Sequence, residues 1–284
     1  MTGQNLAITG LPRSGTSLLC KLLNAEANIA AINEPEEVFR IFLRQWWELR
    51  HKSDKHRAEQ VRNYYQQLRS SLLAGQTIAN KVADDTRITD QRKAWRPEVG
   101  NAEDFVLITK NTLVYTCNID TLHQCEIQTT ALVRHPYDSI ASWQSSKQPN
   151  LAHLRKGELV AAKRSAPASF SAAQLALLKE LERQPIASLA RLCLVWNFLV
   201  TQYLERQELV NILSYESLVS DPAAAVGSVL PDRTTVVAKS DSLDIRTYDV
   251  EAAEREFIWS VCGENALQLG YSESRIGNDE LNGD

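Results

Sequence analysis

The stretch LAITGLPRSGTSLL, Leu6 to Leu19, sets Gly10 and Gly15 around four intervening residues and follows them with two hydroxyls, Thr16 and Ser17. A glycine turn leading from a strand into a helix aims backbone N–H groups at one spot, and the helix dipole adds positive potential there. The pattern opens like G-x-x-x-x-G-K-[ST], but Thr16 stands where the lysine belongs. That lysine serves the β and γ phosphates of a nucleoside triphosphate, so its absence argues against ATP or GTP hydrolysis. Ser14, Thr16 and Ser17 supply hydroxyl donors, and Arg13 supplies a forked cation suited to phosphate or sulfate oxygens. An ordinary strand-to-helix turn is the alternative.

A second group lies in LVRHPYDSIASW, Leu132 to Trp143, where Arg134 precedes Ser142 by eight residues. A strand-end arginine and a hydroxyl two turns into the next helix can grip one more phosphate. The alternative pairs Arg134 with Asp138 and leaves Ser142 as a small buried residue. Lys110, in LITKNTLVY, is a cation at the C-terminal end of an apolar run, able to neutralise charge on a leaving phosphate or simply to sit at the surface. NEPEE adds a carboxylate, Glu34, directly before Pro35, with Glu36 and Glu37 suited to a helix N-terminus.

The elements that must position these residues follow from their periodicity. Short apolar runs at 5–9, 29–33, 105–110, 129–134 and 209–215 read as strands. Helices are expected at 16–25, from Pro35 to about Arg50, at 54–74, 111–123, after Pro136, over much of 150–206 with breaks at Pro167 and Pro185, and at 251–269. Apolar strands alternating with helices imply a three-layer α/β/α fold around a central parallel sheet, in one domain spanning 1–284 with a frayed polar tail at 276–284. The polar, proline-punctuated stretches 82–103 and 147–170 read as loops or lids.

Composition narrows the class. At 44% hydrophobic the chain can bury a sizeable core, and a net charge of −4 disfavours a general nucleic-acid binder. The five cysteines include no C-x-x-C, which suggests reduced, mostly buried thiols. The five histidines have no metal-site spacing, so no metal is expected. No stretch reads as a signal peptide or membrane span, and a soluble cytoplasmic protein is the expectation. Trp46 and Trp47 are candidates for an acceptor pocket, although adjacent helical residues diverge. Trp196 and Phe198 read as core, Tyr215 and Glu216 as structural, and His135 as part of a helix start.

Together the two anion motifs resemble the sulfotransferases that use 3′-phosphoadenosine 5′-phosphosulfate (PAPS). In that family a P-[RK]-[SA]-G-[ST]-[ST] loop takes the 5′-phosphosulfate, and an arginine followed eight residues later by a serine takes the 3′-phosphate. Pro12, Arg13, Ser14, Gly15, Thr16 and Ser17 match the first element, and Arg134 with Ser142 the second. The PRSGT loop is similar to the carbohydrate, tyrosyl-protein and bacterial branches. INEPEEVF, TKN and LSYESLVSDP add to the resemblance, while the glycine- and lysine-rich C-terminal motif of the phenol and steroid branch is absent.

The resemblance implies the phosphate-loop type of α/β fold and transfer of a sulfuryl group from PAPS to a hydroxyl, or less readily an amine, of a metabolite, glycan or lipid. The product would be 3′-phosphoadenosine 5′-phosphate (PAP). It further implies Glu34 as the base, in the family's "EP" setting, and Lys110 on the leaving group, although Thr112 replaces the usual proline of K-[DN]-P. Arg13 could take the leaving-group role instead. Two other classes stay open at this point: an ATP-dependent kinase with an altered loop, and a catalytically silent nucleotide-binding protein.

Overall fold

The computed structural model describes residues 3–35, 54–84, 87–99, 105–145, 171–185, 188–230, 243 and 245–274. The expected helix after Pro35, Glu36, Glu37, Trp46, Trp47, the stretch 147–170 and the tail 276–284 lie outside them.

Five strands form one fully parallel sheet: β1 (Asn5–Gly10), β2 (Ile29–Asn33), β5 (Val106–Lys110), β6 (Gln128–Val133) and β7 (Val210–Ser214), in the order β2-β5-β1-β6-β7. The four strands other than β7 are buried almost throughout, as expected of apolar runs covered on both faces. On one face Leu6 and Ile8 of β1 and Leu132 of β6 pack against α1 (Thr16–Leu23) and α9 (Pro222–Val229). On the other, Ala7, Ile32 and Leu107 meet α2 (Asp54–Leu73), α3 (Thr112–Thr116) and α4 (Ile119–Gln124). Ala131 and Val133 meet α5 (Pro136–Ser145), α7 (Leu189–Leu204) and α10 (Ala252–Gln268) there, with α6 (Ala172–Arg183) alongside α7. The expected three-layer α/β/α arrangement is therefore present. The five cysteines are all buried and in no disulfide, and Trp196 and Phe198 are core residues. No helix among the described residues is long and apolar enough to cross a membrane.

Two expectations are corrected. The region read as a loop from residue 82 onward contains a hairpin of β3 (Ile78–Asp84) and β4 (Arg87–Trp95). Its strands mix polar with apolar residues because the hairpin pairs antiparallel outside the main sheet, so it lacks the continuous apolar run that marks the others. The helix expected over 111–123 is two short helices. Asn111 caps the first by accepting from the Val114 N–H (2.9 Å), and Asn118 breaks the run by donating to the Val114 carbonyl (2.7 Å).

Register fixes what meets at the carboxyl edge. Asn33, Lys110 and Ile8 lie in one row across β2, β5 and β1, while Gly10 stands beside Leu132, and Val133 beside Ser214. The helices after the neighbouring strands β1 and β6 lie on opposite faces, which opens a crevice between the two turns, the place where open α/β sheets take ligands.

Candidate functional site

The turn after β1 is pinned to β6. The Leu11 N–H donates to the Leu132 carbonyl (2.8 Å), and the Trp143 indole of α5 donates to the Pro12 carbonyl (2.8 Å). Gly10 is required here: its φ is 148°, and a Cβ would sit 2.4 Å from the Leu132 carbonyl oxygen. Gly15, φ 88°, forms the left-handed N-cap of α1, and a Cβ there would meet the Tyr215 ring at 2.8 Å. Arg13 also lies in the left-handed region at φ 69°, a strained conformation for a non-glycine residue. The first N–H of α1 to reach a helical carbonyl is that of Leu19, to Gly15 (2.9 Å). Those of Thr16, Ser17 and Leu18 precede it and point out of the helix start, where an anion is favoured. No side chain caps this terminus.

Ser14 sits differently from a ligand donor. It is fully buried, its hydroxyl bonds the Leu11 and Leu132 carbonyls (2.7 and 3.0 Å), and its N–H goes to Leu11 (3.1 Å). It braces the turn. Ser17 faces β2, its hydroxyl accepting from the Asn33 amide at 3.2 Å.

The structure brings Arg13, Arg134 and Ser142 together although more than a hundred residues separate the first from the others. Arg13 Nε donates to Ser142 Oγ (3.4 Å), and Arg134 donates to the Arg13 carbonyl (3.2 Å) and to the Arg246 carbonyl. Arg134, one residue beyond β6, lies over the ring of Tyr215, one residue beyond neighbouring β7 (4.3 Å to the centroid), and 5.6 Å from that of Tyr248. Arg134 is 3% exposed, and its Nε has no hydrogen-bond partner. Among the described residues no carboxylate pairs with Arg13 or Arg134; Asp138 instead accepts from the Tyr248 N–H (2.9 Å). The Tyr248 hydroxyl donates to Ser142 Oγ (3.1 Å). Burial raises the pKa of Tyr248, but the Ser142 bond and the charges of Arg134, Arg13 and Arg246 outweigh it and leave it below the usual tyrosine value.

Glu34 and Lys110 form the other cluster. Because Asn33 and Lys110 are register partners, the Glu34 N–H continues the ladder to the Lys110 carbonyl (2.9 Å), and Lys110 Nζ donates to Glu34 Oε1 (2.7 Å). Lys81 of β3 donates to Oε2. Glu34 has φ 52°, so the backbone turns sharply where the carboxylate enters the site. Burial pushes its pKa up, but Lys110 and Lys81 prevail and hold it at about 2.

Sequence reasoning missed Lys81, Arg246 and Tyr248, and took Tyr215 as purely structural. His135 and Glu216 do have structural partners. The His135 N–H donates to Glu216 Oε1 (3.1 Å), the imidazole Nε2 bonds the Ser272 carbonyl (3.1 Å), and Glu216 Oε2 accepts from Tyr271 (2.9 Å).

With its parallel sheet, covered faces and glycine turn at a helix start, the chain is an α/β protein that carries its candidate site along the carboxyl edge of the sheet. No protein-family model matches it, and no curated protein matches it significantly. Among solved structures it is similar to a sulfotransferase domain from the curacin biosynthetic pathway (14% identity, 96% of this chain and 99% of that one, TM-score 0.43). It is also similar to a sulfotransferase from Alicyclobacillus acidocaldarius (17%, 95% of each chain, TM-score 0.46) and to one from Mycobacterium avium (11%, 94% and 77%, TM-score 0.43).

Proposed function

We propose that the protein transfers a sulfuryl group from PAPS to a hydroxyl, or less readily an amine, of a metabolite, glycan or lipid acceptor, releasing PAP. The observation that carries this reading is the meeting of Arg13 and Arg134 beside an uncapped helix N-terminus with no carboxylate partner among the described residues. A buried guanidinium without a counter-ion is costly, and an anionic ligand removes that cost. The two cations and the α1 amides suit a donor with separate anionic groups at its 5′ and 3′ positions.

In this scheme the amides at the start of α1, with Thr16, Ser17 and Arg13, hold the 5′-phosphosulfate. Arg134, with Ser142, takes the 3′-phosphate, and the unpartnered Nε of Arg134 offers it a donor. Ser14 keeps the turn in shape. Glu34 receives the acceptor proton as the acceptor oxygen bonds to sulfur. The sulfur–oxygen bond to the phosphate breaks, and Lys110 and Arg13 offset the charge left on PAP. Sulfuryl transfer resembles phosphoryl transfer in its loose in-line transition state, so positioning and charge neutralisation supply most of the acceleration.

The test is to incubate the protein with sulfur-35 PAPS and a panel of hydroxyl and amine acceptors, with and without a chelator. Label transferred to an acceptor with stoichiometric PAP supports the reading. Phosphoryl transfer from Mg·ATP to the same panel, with PAPS untouched, overturns it.

A further inference from the structure

Asn33, the last residue of β2, stands between the β3–β4 hairpin and the start of α1 and is 4% exposed. On the hairpin side its backbone N–H donates to the side-chain oxygen of buried Asn80 (2.8 Å), and its side-chain NH₂ reaches the Lys81 carbonyl (3.5 Å). On the other side the same NH₂ group donates to Ser17 Oγ (3.2 Å). The two ends of an amide have nearly the same shape, so a neighbour must choose between them. The Lys81 carbonyl makes that choice: it accepts from NH₂, whereas a flipped side chain would set oxygen against oxygen. Asn33 Oδ1 meets no donor among the described residues, so the NH₂ group alone sets the pose.

A serine hydroxyl has one hydrogen and two lone pairs. Asn33 takes one lone pair of Ser17, so the hydrogen cannot point at Asn33, and no acceptor for it lies among the described residues. Ser17 is half-buried in the first turn of α1, where the helix leaves its N–H groups free. Its hydrogen is thus left for a ligand that only accepts, as the oxygens of a fully ionised sulfate or phosphate group do. Resting on the reading of the α1 start as the 5′-phosphosulfate subsite, we propose that Asn33 is a positioning residue. It does not touch the donor. It turns the Ser17 hydroxyl so that the O–H points at the anion, and Asn80 and the Lys81 carbonyl hold it in that pose.

A bond that merely tied β2 to α1 would work as well with Ser17 donating as with Ser17 accepting. The direction of this bond is what carries a function. It also lets the hairpin, more than 60 positions further along the chain, shape the donor loop through a single uncharged side chain.

Calorimetric titration with PAP of wild type, Ser17→Ala, Asn33→Asp and the double variant tests this without any acceptor. Asn33→Asp keeps the volume but replaces the NH₂ by an acceptor, so the Ser17 hydrogen turns to the new carboxylate and away from the ligand. In the wild-type background Ser17→Ala should weaken PAP by about tenfold or more, the loss of a hydrogen bond to a charged group. In the Asn33→Asp background the same change should cost less than about threefold, because the hydroxyl is already turned away. The added negative charge weakens PAP with or without the hydroxyl and cancels from this comparison. An effect of Ser17→Ala that is equal in the two backgrounds overturns the proposal, since a residue that only props up the fold acts alike on both. If Asn33→Asp does not fold, Asn33→Ala gives the same cycle. Ser17→Ala should then cost about threefold less than in wild type, because a freed O–H samples about three staggered positions, and equal costs again overturn the proposal. The functional reading fails separately: if PAP does not bind wild type, or binds it no better than Ser17→Ala, the 5′ subsite itself is rejected. Affinity that depends on Ser17 equally in both backgrounds rejects only the role of Asn33.

Discussion

At the β2–β5 end of the carboxyl edge, a carboxylate is held between two ammonium groups. At the β1–β6 end, two guanidiniums meet hydroxyls, carbonyls and aromatic faces, and no carboxylate among the described residues. The first cluster is paired from within, one carboxylate against two ammonium groups. Its charges hold each other, and Glu34 sits near a pKa of 2 because Lys110 and Lys81 outweigh its burial. The second has no carboxylate partner among the described residues and stands beside a helix start that adds potential of the same sign. The contrast is in keeping with the proposed roles of the two ends: an internally paired cluster suits a step that must be switched on, and a cationic one without a carboxylate partner among the described residues suits anion binding.

Separating the two ends by mutation is the sharpest way to break this comparison. The largest effect is expected from Glu34→Gln, which keeps the shape and removes the basic oxygen. Turnover should fall by ~10²–10⁴-fold, the usual contribution of a general base, while PAP binding does not weaken. Steady-state rates beside a binding titration read both, and loss of PAP affinity in this variant would mean that the two ends are not distinct.

Arg134→Ala should do the converse. Hydrogen bonds to charged groups contribute about 1.5–3 kcal/mol, so PAP should bind about 10- to 150-fold more weakly. Adenosine 5′-phosphate, which lacks the 3′-phosphate, should change far less. Equal weakening of both ligands would detach Arg134 from the 3′-phosphate.

A smaller effect should appear in acid stability. The folded pKa of Glu34 is depressed from 4.5 to about 2, so its contribution is complete above 4.5 and is lost as the pH falls toward 2. Glu34→Gln also strands Lys110, which is 3% exposed. The variant should therefore melt several degrees below wild type near neutral pH, at about 2–4 °C per kcal/mol lost, and the gap should close between pH 4.5 and 2. Calorimetric melting across that window checks it, and a gap independent of pH would mean that the lysine pairs do not stabilise the fold.

The same two ends differ in how far the sequence could be read. The sheet was legible because LAIT, LIT, TALV and NIL are apolar runs between helical segments, as strands buried on both faces must be. Arg13, Arg134 and Ser142 were legible because each stands at a fixed offset from a strand end, and parallel register brings neighbouring strand ends together. Glu34 and Lys110 meet for the same reason, as followers and members of register partners. What escaped came from outside the sheet. Lys81 depends on a hairpin whose mixed polar strands look like a loop, and Tyr248 reaches Ser142 from a segment without regular structure, 106 residues away. Ser14 was assigned a ligand role by motif position, yet Gly10 and Arg13 turn the backbone so that its hydroxyl faces Leu132.

The central claim is that the cationic end accepts a donor bearing a 3′-phosphate. Calorimetric titration of the protein with PAP, adenosine 5′-phosphate and ATP, each with and without Mg²⁺, tests it most directly. Binding of PAP that is tighter than that of adenosine 5′-phosphate and indifferent to Mg²⁺ is the predicted result. ATP binding that requires Mg²⁺, with nothing gained from the 3′-phosphate, would contradict it.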